Sequence, residues 1–501
     1  MTSLLVWIPL VGGLAACLLP RRAVGWGATV ASLGALGVAI AMTAGFDPAG
    51  GMQYVVDEPW IPALGINYQL GVDGIAIVCV LVTAAVWPAA TAWSAMTTPD
   101  RPRTWFAMLA VAQTGALGAF CAEDLLLFVL FFDLMLIPFF FLFGSWGEDV
   151  EGGPTAAQAT IKMVIYTLVG SLLMLVGAIA AASIATNGEG FTFSLQAIQE
   201  RGIPEGSQGW LFAFFAAAFL VKMPVFPLHG WMRDAYRTAP LPALALFSAV
   251  LSKVGAYGFL RVSLPLFPDA SAAAQEALLI VAVVSIVYGS LMAFSQDDAR
   301  LVVAFSSLAQ LGFILLGIFS LRVDGGDGAV MQIVNHALVS VPLLLIVAFL
   351  AGRVGSSDLG RMGGLALRAP VLATLFLIVT MALLALPGSA NFIGELFVLR
   401  GAFEANVAIA VVASSGIAMA GYYGLRLFQR SMHNRGSDPE ASAEVPLGRG
   451  LILSGLVVAI LALALYPGFI PERTTDSVAA QTAAARDVGA GAVSAQGDGA
   501  P

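Results

Sequence analysis

Charged side chains are scarce in this chain of 501 residues: 11% are Asp, Glu, Lys or Arg, whereas 59% are hydrophobic. A soluble domain carries roughly 25% charged residues, so the surface of this protein is expected to face lipid. Many apolar runs reach the ~18–20 residues that cross the hydrocarbon core as a helix. They lack the alternation typical of a membrane barrel. The sequence therefore predicts an all-α integral membrane protein.

Cysteine is also rare, and its spacing excludes several kinds of site. Cys17, Cys79 and Cys121 all lie in apolar runs and form no CxxC pair. This excludes a disulfide framework, a zinc site and an iron–sulfur site built on cysteine pairs. The chain also has no nucleotide-binding fingerprint and no basic patch. We therefore expect it to bind no cofactor, no metal and no nucleic acid.

The apolar runs predict about fourteen transmembrane helices. The first is followed by Arg21 and Arg22 and has no basic residue before it, which favours a retained span over a signal peptide. After Pro471 the chain is rich in Ala and Gly, so we expect residues 471–501 to be disordered. The predicted spans are 3–20, 25–46, 71–95, 103–121, 124–144, 160–186, 209–230, 240–262, 275–296, 299–321, 329–352, 369–398, 405–428 and 449–467.

The distribution of basic residues predicts the orientation of these spans. With the N-terminus outside, fifteen basic residues fall on the inner side and six on the outer side. Cytoplasmic loops carry such an excess of Lys and Arg. The sequence therefore predicts a multi-pass protein with both termini outside.

Five ionisable residues lie inside the predicted spans rather than in loops. Such a charge at the bilayer centre costs at least about 2.5–3.5 kcal/mol. One interpretation is structural, with the charges acting as buried ion pairs that hold helices together. The other is titration, and the chain's preference for Arg over Lys, 20 to 3, favours it, because lysine gives up its proton far more readily than arginine. The five residues are Asp133, Lys222, Lys253, His336 and Glu395.

Two predicted spans are interrupted beside these residues. Pro224 and Pro227 follow Lys222, while Pro387 and Gly388 precede Glu395. Simple proline kinks would explain the pattern, but paired breaks in two halves also indicate internal repeats. We predict two inverted five-helix repeats, each with one discontinuous helix. The expected units are helices 1–3 (1–100), a first repeat (101–270), a second repeat (271–430), helix 14 (431–470) and the tail (471–501).

Several segments together resemble the antiporter-like membrane subunits of respiratory complex I, an NADH–quinone oxidoreductase, especially the subunit M type. The similarity covers nearly the whole chain, from about Gly71 to Pro471. The segments are GVDGIAIVCVLVT, AFLVKMPVFPLHGW, LSKVGAYGFLR, IVNHALV and LPGSANFIGELFVLRGAF.

The resemblance implies a role for each buried group. Asp133 would modulate Lys222, Lys253 would be the central proton carrier, His336 would relay, and Glu395 would be the exit-side site. His229 and Gln310 would act as water or proton relays. Four features depart from the family: Asp133 stands for the usual Glu, Gln310 for a histidine, PLHGWMRDAY for PLHTWLPDAH, and TAPLPAL for EAPTxGS.

The resemblance also implies the setting of the protein. The chain would perform no redox step, and NADH, FMN, iron–sulfur clusters and quinone would belong to partner subunits. Its partners would be other membrane-arm subunits, lipid and protons, in a bacterial inner membrane. The alternatives are a subunit of a multi-subunit Na⁺/H⁺ exchanger or of a membrane-bound hydrogenase, a stand-alone solute transporter, and a scaffold that has lost pumping.

Overall fold

The computed structural model describes residues 1–186, 190–433 and 444–497, and most of them are helical. Within these ranges, eleven helices are long and apolar enough to cross a membrane, which confirms a multi-pass helical membrane protein. Thr2–Ala16 and Pro370–Leu383 are shorter apolar helices. Residues 434–443, before the last predicted span, and 498–501 of the predicted tail lie outside the described residues.

The N-terminal part of the chain forms fourteen helical segments and one hairpin in the described residues. They are α1 (Thr2–Ala16), α2 (Val24–Ala44), β1 (Gln53–Ile61), β2 (Ile66–Val72), α3 (Gly74–Thr97), α4 (Pro102–Cys121), α5 (Leu125–Leu134), α6 (Leu136–Trp146), α7 (Ala156–Ile184), α8 (Leu195–Arg201), α9 (Glu205–Lys222), α10 (Met232–Thr238), α11 (Leu241–Leu246), α12 (Ser252–Gly258), α13 (Leu264–Leu266) and α14 (Pro268–Ala273).

The C-terminal part is built from longer helices. They are α15 (Gln275–Ser295), α16 (Ala299–Phe319), α17 (Val323–Val354), α18 (Pro370–Leu383), α19 (Ala390–Ala405), α20 (Val407–Met432), α21 (Leu447–Leu465) and α22 (Pro471–Gly497).

Short polar side chains start several of these helices. Asp73 begins α3 by accepting the Ala76 N–H at 2.8 Å, and Asp124 begins α5 by accepting from two backbone N–H groups. Asp298 does the same for α16. Because a helix leaves its first N–H groups without backbone partners, these carboxylates satisfy donors that would otherwise be unpaired.

Both predicted helix breaks are confirmed. Helix α9 ends at Lys222 and α10 begins at Met232. Helix α18 ends at Leu383 and α19 begins at Ala390, after Gly388 adopts a φ of 99° that favours glycine. The span that carries Lys253 is irregular in another way, since π-helical segments at Phe247–Leu251 and Phe259–Ser263 flank α12.

The all-α prediction omitted a β-hairpin. Strands β1 and β2 pair antiparallel, joined by a short turn that ends at Gly65, whose φ is +62°. The inner strand buries Ile66, Leu70 and Val72. Residues 53–70 fall between the predicted spans 25–46 and 71–95, because they form too short and too polar a stretch to span lipid. Their content of Tyr, Val and Ile is nevertheless typical of strands.

The prediction of a disordered tail was wrong for the described residues. Helix α22 packs against α3, α14 and α17. Low hydrophobicity suggested disorder, but alanine is the strongest helix former, and small side chains allow close docking. Four residues at helical spacing are buried on one face: Thr474, Val478, Thr482 and Ala485.

Candidate functional site

Lys222 is buried at the last position of α9, with 5% of its surface exposed. Its Nζ donates to the carbonyl of Phe132 at 3.0 Å and lies 4.0 Å from the centre of the Phe132 ring. The carbonyl and the ring face together satisfy the ammonium group. Lys222 is therefore bound to the carbonyl and the ring of Phe132 on α5.

Asp133, the next residue on α5, does not form a direct ion pair with Lys222. No nitrogen–oxygen distance of 4 Å or less joins the two side chains, which are both in the described part of the chain. The charge of Lys222 still acts on the carboxylate, whose Oδ1 has no hydrogen-bond partner among the described residues. The shorter acid thus leaves a gap that a direct pair would close.

Lys253 lies at the start of α12 with 1% of its surface exposed. The π-helical turn before it directs the Ser248 carbonyl towards the side chain, and Nζ donates to this oxygen at 2.6 Å. Nζ also donates to the Ser252 hydroxyl at 3.2 Å. Only neutral groups bind this amine in the described residues. Its proton is therefore not fixed by a neighbouring carboxylate.

His336 is in direct contact with Lys253. Its Nδ1 lies 2.6 Å from the Lys253 Nζ. When lysine carries the proton, Nδ1 must be the acceptor, so the imidazole is then unprotonated at this nitrogen. Ser340, one turn later on α17, donates to the His336 carbonyl at 2.6 Å and lies beside the ring. Lys253 and His336 thus form a hydrogen bond along which a proton can pass.

Glu395 lies on the first turns of α19, just after the break, and is also 1% exposed. Gln310 on α16 donates from Nε2 to its Oε1 at 3.0 Å. Oε2 of Glu395 and Oε1 of Gln310 have no partner among the described residues. Gln332 on α17 donates to the Asn391 carbonyl at 2.9 Å. Helix α17 therefore carries His336 on one turn and is bound to the Glu395 helix on the previous turn.

His229 is not brought into contact with the other candidate residues. It is partly exposed between α9 and α10 and packs against Phe226 and Tyr288, with ring centroids 5.7 and 5.0 Å away. None of the hydrogen bonds of the described residues joins it to Lys222 or Lys253. Among the described residues, no three His, Cys, Asp or Glu side chains form a group that could hold a metal ion.

A second buried charge cluster was missed from the sequence. Arg261, assigned to a helix end, is only 8% exposed. Its Nη2 lies 2.5 Å from Glu123 Oε1, and its Nε lies 3.5 Å from Asp73 Oδ2. The only signal in the sequence was the spacing of Lys253, Tyr257 and Arg261, which stand four residues apart on one span.

Comparisons with known proteins match the chain over nearly its whole length. Residues 122–420 match the family model described as NADH:quinone oxidoreductase/Mrp antiporter. An NADH-quinone oxidoreductase subunit M from Rhodobacter capsulatus is 35% identical over 497 residues, covering 95% of each chain. Another subunit M, from Mycobacterium tuberculosis, is 33% identical over 506 residues, covering 93% of this chain and 91% of that protein.

Solved structures share the fold. A chain of respiratory complex I from Thermus thermophilus with bound NADH superposes with a TM-score of 0.89 at 29% identity, covering 97% of this chain and 100% of that one. A chain of the Mrp complex from Dietzia sp. has a TM-score of 0.81 at 20% identity, covering 97% of this chain and 99% of that one. At that lower identity, the likeness shows the fold alone.

Proposed function

Because this chain belongs to the NADH:quinone oxidoreductase/Mrp antiporter family of membrane subunits, we propose that it is a proton-translocating membrane-arm subunit of an NADH–quinone oxidoreductase, of the subunit M type. The observation that carries the proposal is the 2.6 Å contact between Lys253 and His336 inside the bundle. A titratable amine bound to a titratable imidazole, with no carboxylate of the described residues bound to the amine, is suited to passing a proton on.

The proton path runs laterally through the bundle. The charge of Asp133 sets how firmly Lys222 holds its proton, Lys253 receives the proton, His336 relays it, and Glu395 is the exit-side carrier. Gln310 cannot titrate, but its amide orients the Glu395 carboxylate and can hold a water. His229, at the break after α9, is a water relay at the edge of the path.

The energies involved are of matching size. Moving one elementary charge against 100 mV costs about 2.3 kcal/mol. Making or losing one hydrogen bond to a charged group changes the free energy by about 1.5–3 kcal/mol. Energy released by quinone reduction in other subunits would rearrange the contacts of Lys222 and Lys253, and one such rearrangement is sufficient for one proton.

The membrane topology is proposed in the same terms. About fourteen spans, with both termini outside, are supported by the match of the helix bounds to the predicted spans and by the bias of basic residues. The breaks after Lys222 and before Glu395 support two inverted repeats, 101–270 and 271–430. They follow helices 1–3 (1–100) and precede helix 14 (431–470). The membrane is the inner membrane of a bacterium.

The redox chemistry belongs to other subunits. NADH, FMN, the iron–sulfur clusters and quinone would bind partner chains, and this chain would supply the proton path without a cofactor of its own. Its partners are the other subunits of the membrane arm and the lipid around them. In this role the chain is a non-redox subunit of a translocating oxidoreductase.

A second candidate is the equivalent subunit of a multi-subunit Na⁺/H⁺ exchanger. The fold shared with the Mrp complex favours it, and the family description names both types. A membrane-bound hydrogenase subunit would use the same buried charges. A stand-alone transporter is less well supported, since the relatives that the chain resembles are subunits of multi-subunit complexes.

The set of co-purifying subunits tests the assignment. The chain, tagged in its native cell, is purified in mild detergent, and its partners are identified by mass spectrometry and by the visible spectra of flavin and iron–sulfur clusters. Partners that carry both cofactors are expected. A complex without either cofactor, containing exchanger subunits instead, would overturn the proposal in favour of the second candidate.

A further inference from the structure

The buried cluster of Asp73, Arg261 and Glu123 lies at the end of the bundle where α3 begins and α4 ends. Asp73 precedes α3, Glu123 links α4 to α5, and Arg261 stands in the second π-helical segment. The Glu123 N–H is held by the Gln69 carbonyl of β2 at 2.9 Å. The two carboxylates and the guanidinium thus come from three separate elements, and the hairpin holds the backbone of Glu123.

Polar side chains recur along the span between Lys253 and this cluster. Lys253, Tyr257 and Arg261 follow one another at four-residue spacing along one span, so each lies about 6 Å further along the axis. The Tyr257 side chain is fully buried, and its hydroxyl donates to the Phe120 carbonyl at 2.8 Å. The span therefore carries a polar side chain on each turn from the central amine to Arg261, which binds Glu123.

The cluster has one more carboxylate than an ion pair needs. Two acids face one guanidinium, giving a net charge of −1 when both are ionised. Asp73 Oδ2 and Arg261 Nε are buried and make no hydrogen bond among the described residues. A pair that only held helices together would be satisfied by one acid, because each extra buried charge adds a desolvation cost.

Glu123 is the acid suited to take up a proton. Burial raises the pKa of its carboxyl group, and the Arg261 guanidinium opposes that shift. Asp73 is committed to the first turn of α3, where its Oδ1 accepts the Ala76 N–H at 2.8 Å. Protonation of Glu123 would leave Arg261 paired with Asp73, so no bare charge would remain in the cluster.

We propose that Glu123 is a second proton carrier, which takes protons from Lys253 through Tyr257 and releases them at this end of the bundle. The inference rests on the proposed function. The Lys253 Nζ–H bond breaks, a bridging water passes the proton to the Tyr257 hydroxyl oxygen, and that hydroxyl gives its own proton to the Glu123 carboxylate. Lys253 ends as the amine, Tyr257 ends unchanged, and Glu123 ends as the neutral acid. Arg261 is a positioning residue, which orients the carboxylate.

The test measures protons translocated per NADH oxidised by the assembled complex in proteoliposomes. Glu123→Gln is expected to lose a share of the translocation that Lys253→Ala abolishes, because Lys253 feeds both Glu395 and Glu123 whereas Glu123 serves only one branch. Tyr257→Phe, which keeps the ring but removes the hydroxyl, is expected to lose that share too. Glu276→Gln, an exposed acid in the first turn of α15, is the matched control and should keep the wild-type ratio.

The outcomes separate this inference from the function on which it rests. If Glu123→Gln and Tyr257→Phe assemble and keep the wild-type ratio while Lys253→Ala loses translocation, the second carrier is refuted and the main path stands. If Lys253→Ala also keeps the ratio, the proposed function itself falls. Should Glu123→Gln fail to assemble, Tyr257→Phe decides the matter alone.

Discussion

Helices α17 and α19 are in close backbone contact at Gly328, and filling that contact is expected to disable the Glu395 site. A Cβ at this position would lie 2.4 Å from the backbone nitrogen of Val398 and 2.9 Å from the Gly394 carbonyl oxygen. Both are backbone atoms, which cannot rotate away. Ordinary contact begins near 3.4 Å, so Gly328→Ala requires α19 to withdraw by about 1 Å.

The magnitude follows from what that withdrawal moves. Glu395 stands one turn before Val398, and its 3.0 Å bond from Gln310 would stretch beyond hydrogen-bond distance. Losing a hydrogen bond to a charged group costs about 1.5–3 kcal/mol, which corresponds to about a 10- to 150-fold slower transfer if Glu395 carries the proton. Overpacking adds about 1–3 kcal/mol of destabilisation.

The assay is proton uptake into proteoliposomes during NADH-driven quinone reduction, combined with thermal unfolding of the purified complex. Gly421→Ala on α20 is the matched control, since a Cβ there meets nothing within 4 Å. Both variants gain the same helix propensity, so their difference isolates the packing effect. If Gly328→Ala pumped and unfolded like Gly421→Ala, the close approach would not be what positions Glu395.

Three further outcomes are expected. Asp133→Asn removes the charge that acts on Lys222 and should lower proton translocation several-fold, whereas Asp133→Glu should preserve it; equal rates would contradict an electrostatic role. Asp327→Ala removes the carboxylate that accepts hydrogen bonds from two threonines of α22 at 2.9 and 2.6 Å. Amide hydrogen exchange in α22 should therefore accelerate. Unchanged exchange would show that other contacts hold this helix in place. Gly388→Ala places a side chain at a φ of 99°, so the free energy of unfolding, measured by thermal unfolding, should fall by about 1–3 kcal/mol. An unaltered transition would mean that the backbone at the break adopts another conformation without strain.

The main residues of the site could be predicted because they are charged residues within apolar sequence. Lysine at residues 222 and 253 and an acid at 395 are conspicuous in apolar runs, and Pro and Gly mark the breaks beside two of them. The contact between Lys253 and His336 was expected only in outline. The same amine is held by Ser248 of the π-helical turn at Phe247–Leu251, and that turn has no sequence signal of its own.

Other features depend on tertiary contacts that the sequence pattern does not contain. Asp73, Glu123 and Arg261 are far apart along the chain, and Arg261 lies near a helix end, where arginine is ordinarily solvated. Lys222 donates to the Phe132 carbonyl rather than to the Asp133 carboxylate, a preference that the spacing of the two residues in the sequence does not indicate. Helix α22 lacks an apolar stripe and is held by docking, so composition indicated disorder.

The central claim is that Lys253 carries the translocated proton. The measurement is the number of protons translocated per NADH oxidised by the intact complex carrying Lys253→Ala, compared with Lys162→Ala, which removes a half-exposed lysine paired with Asp234 at 2.8 Å. The account predicts that Lys253→Ala lowers the ratio while Lys162→Ala leaves it unchanged. An assembled Lys253→Ala complex with the wild-type ratio would contradict it.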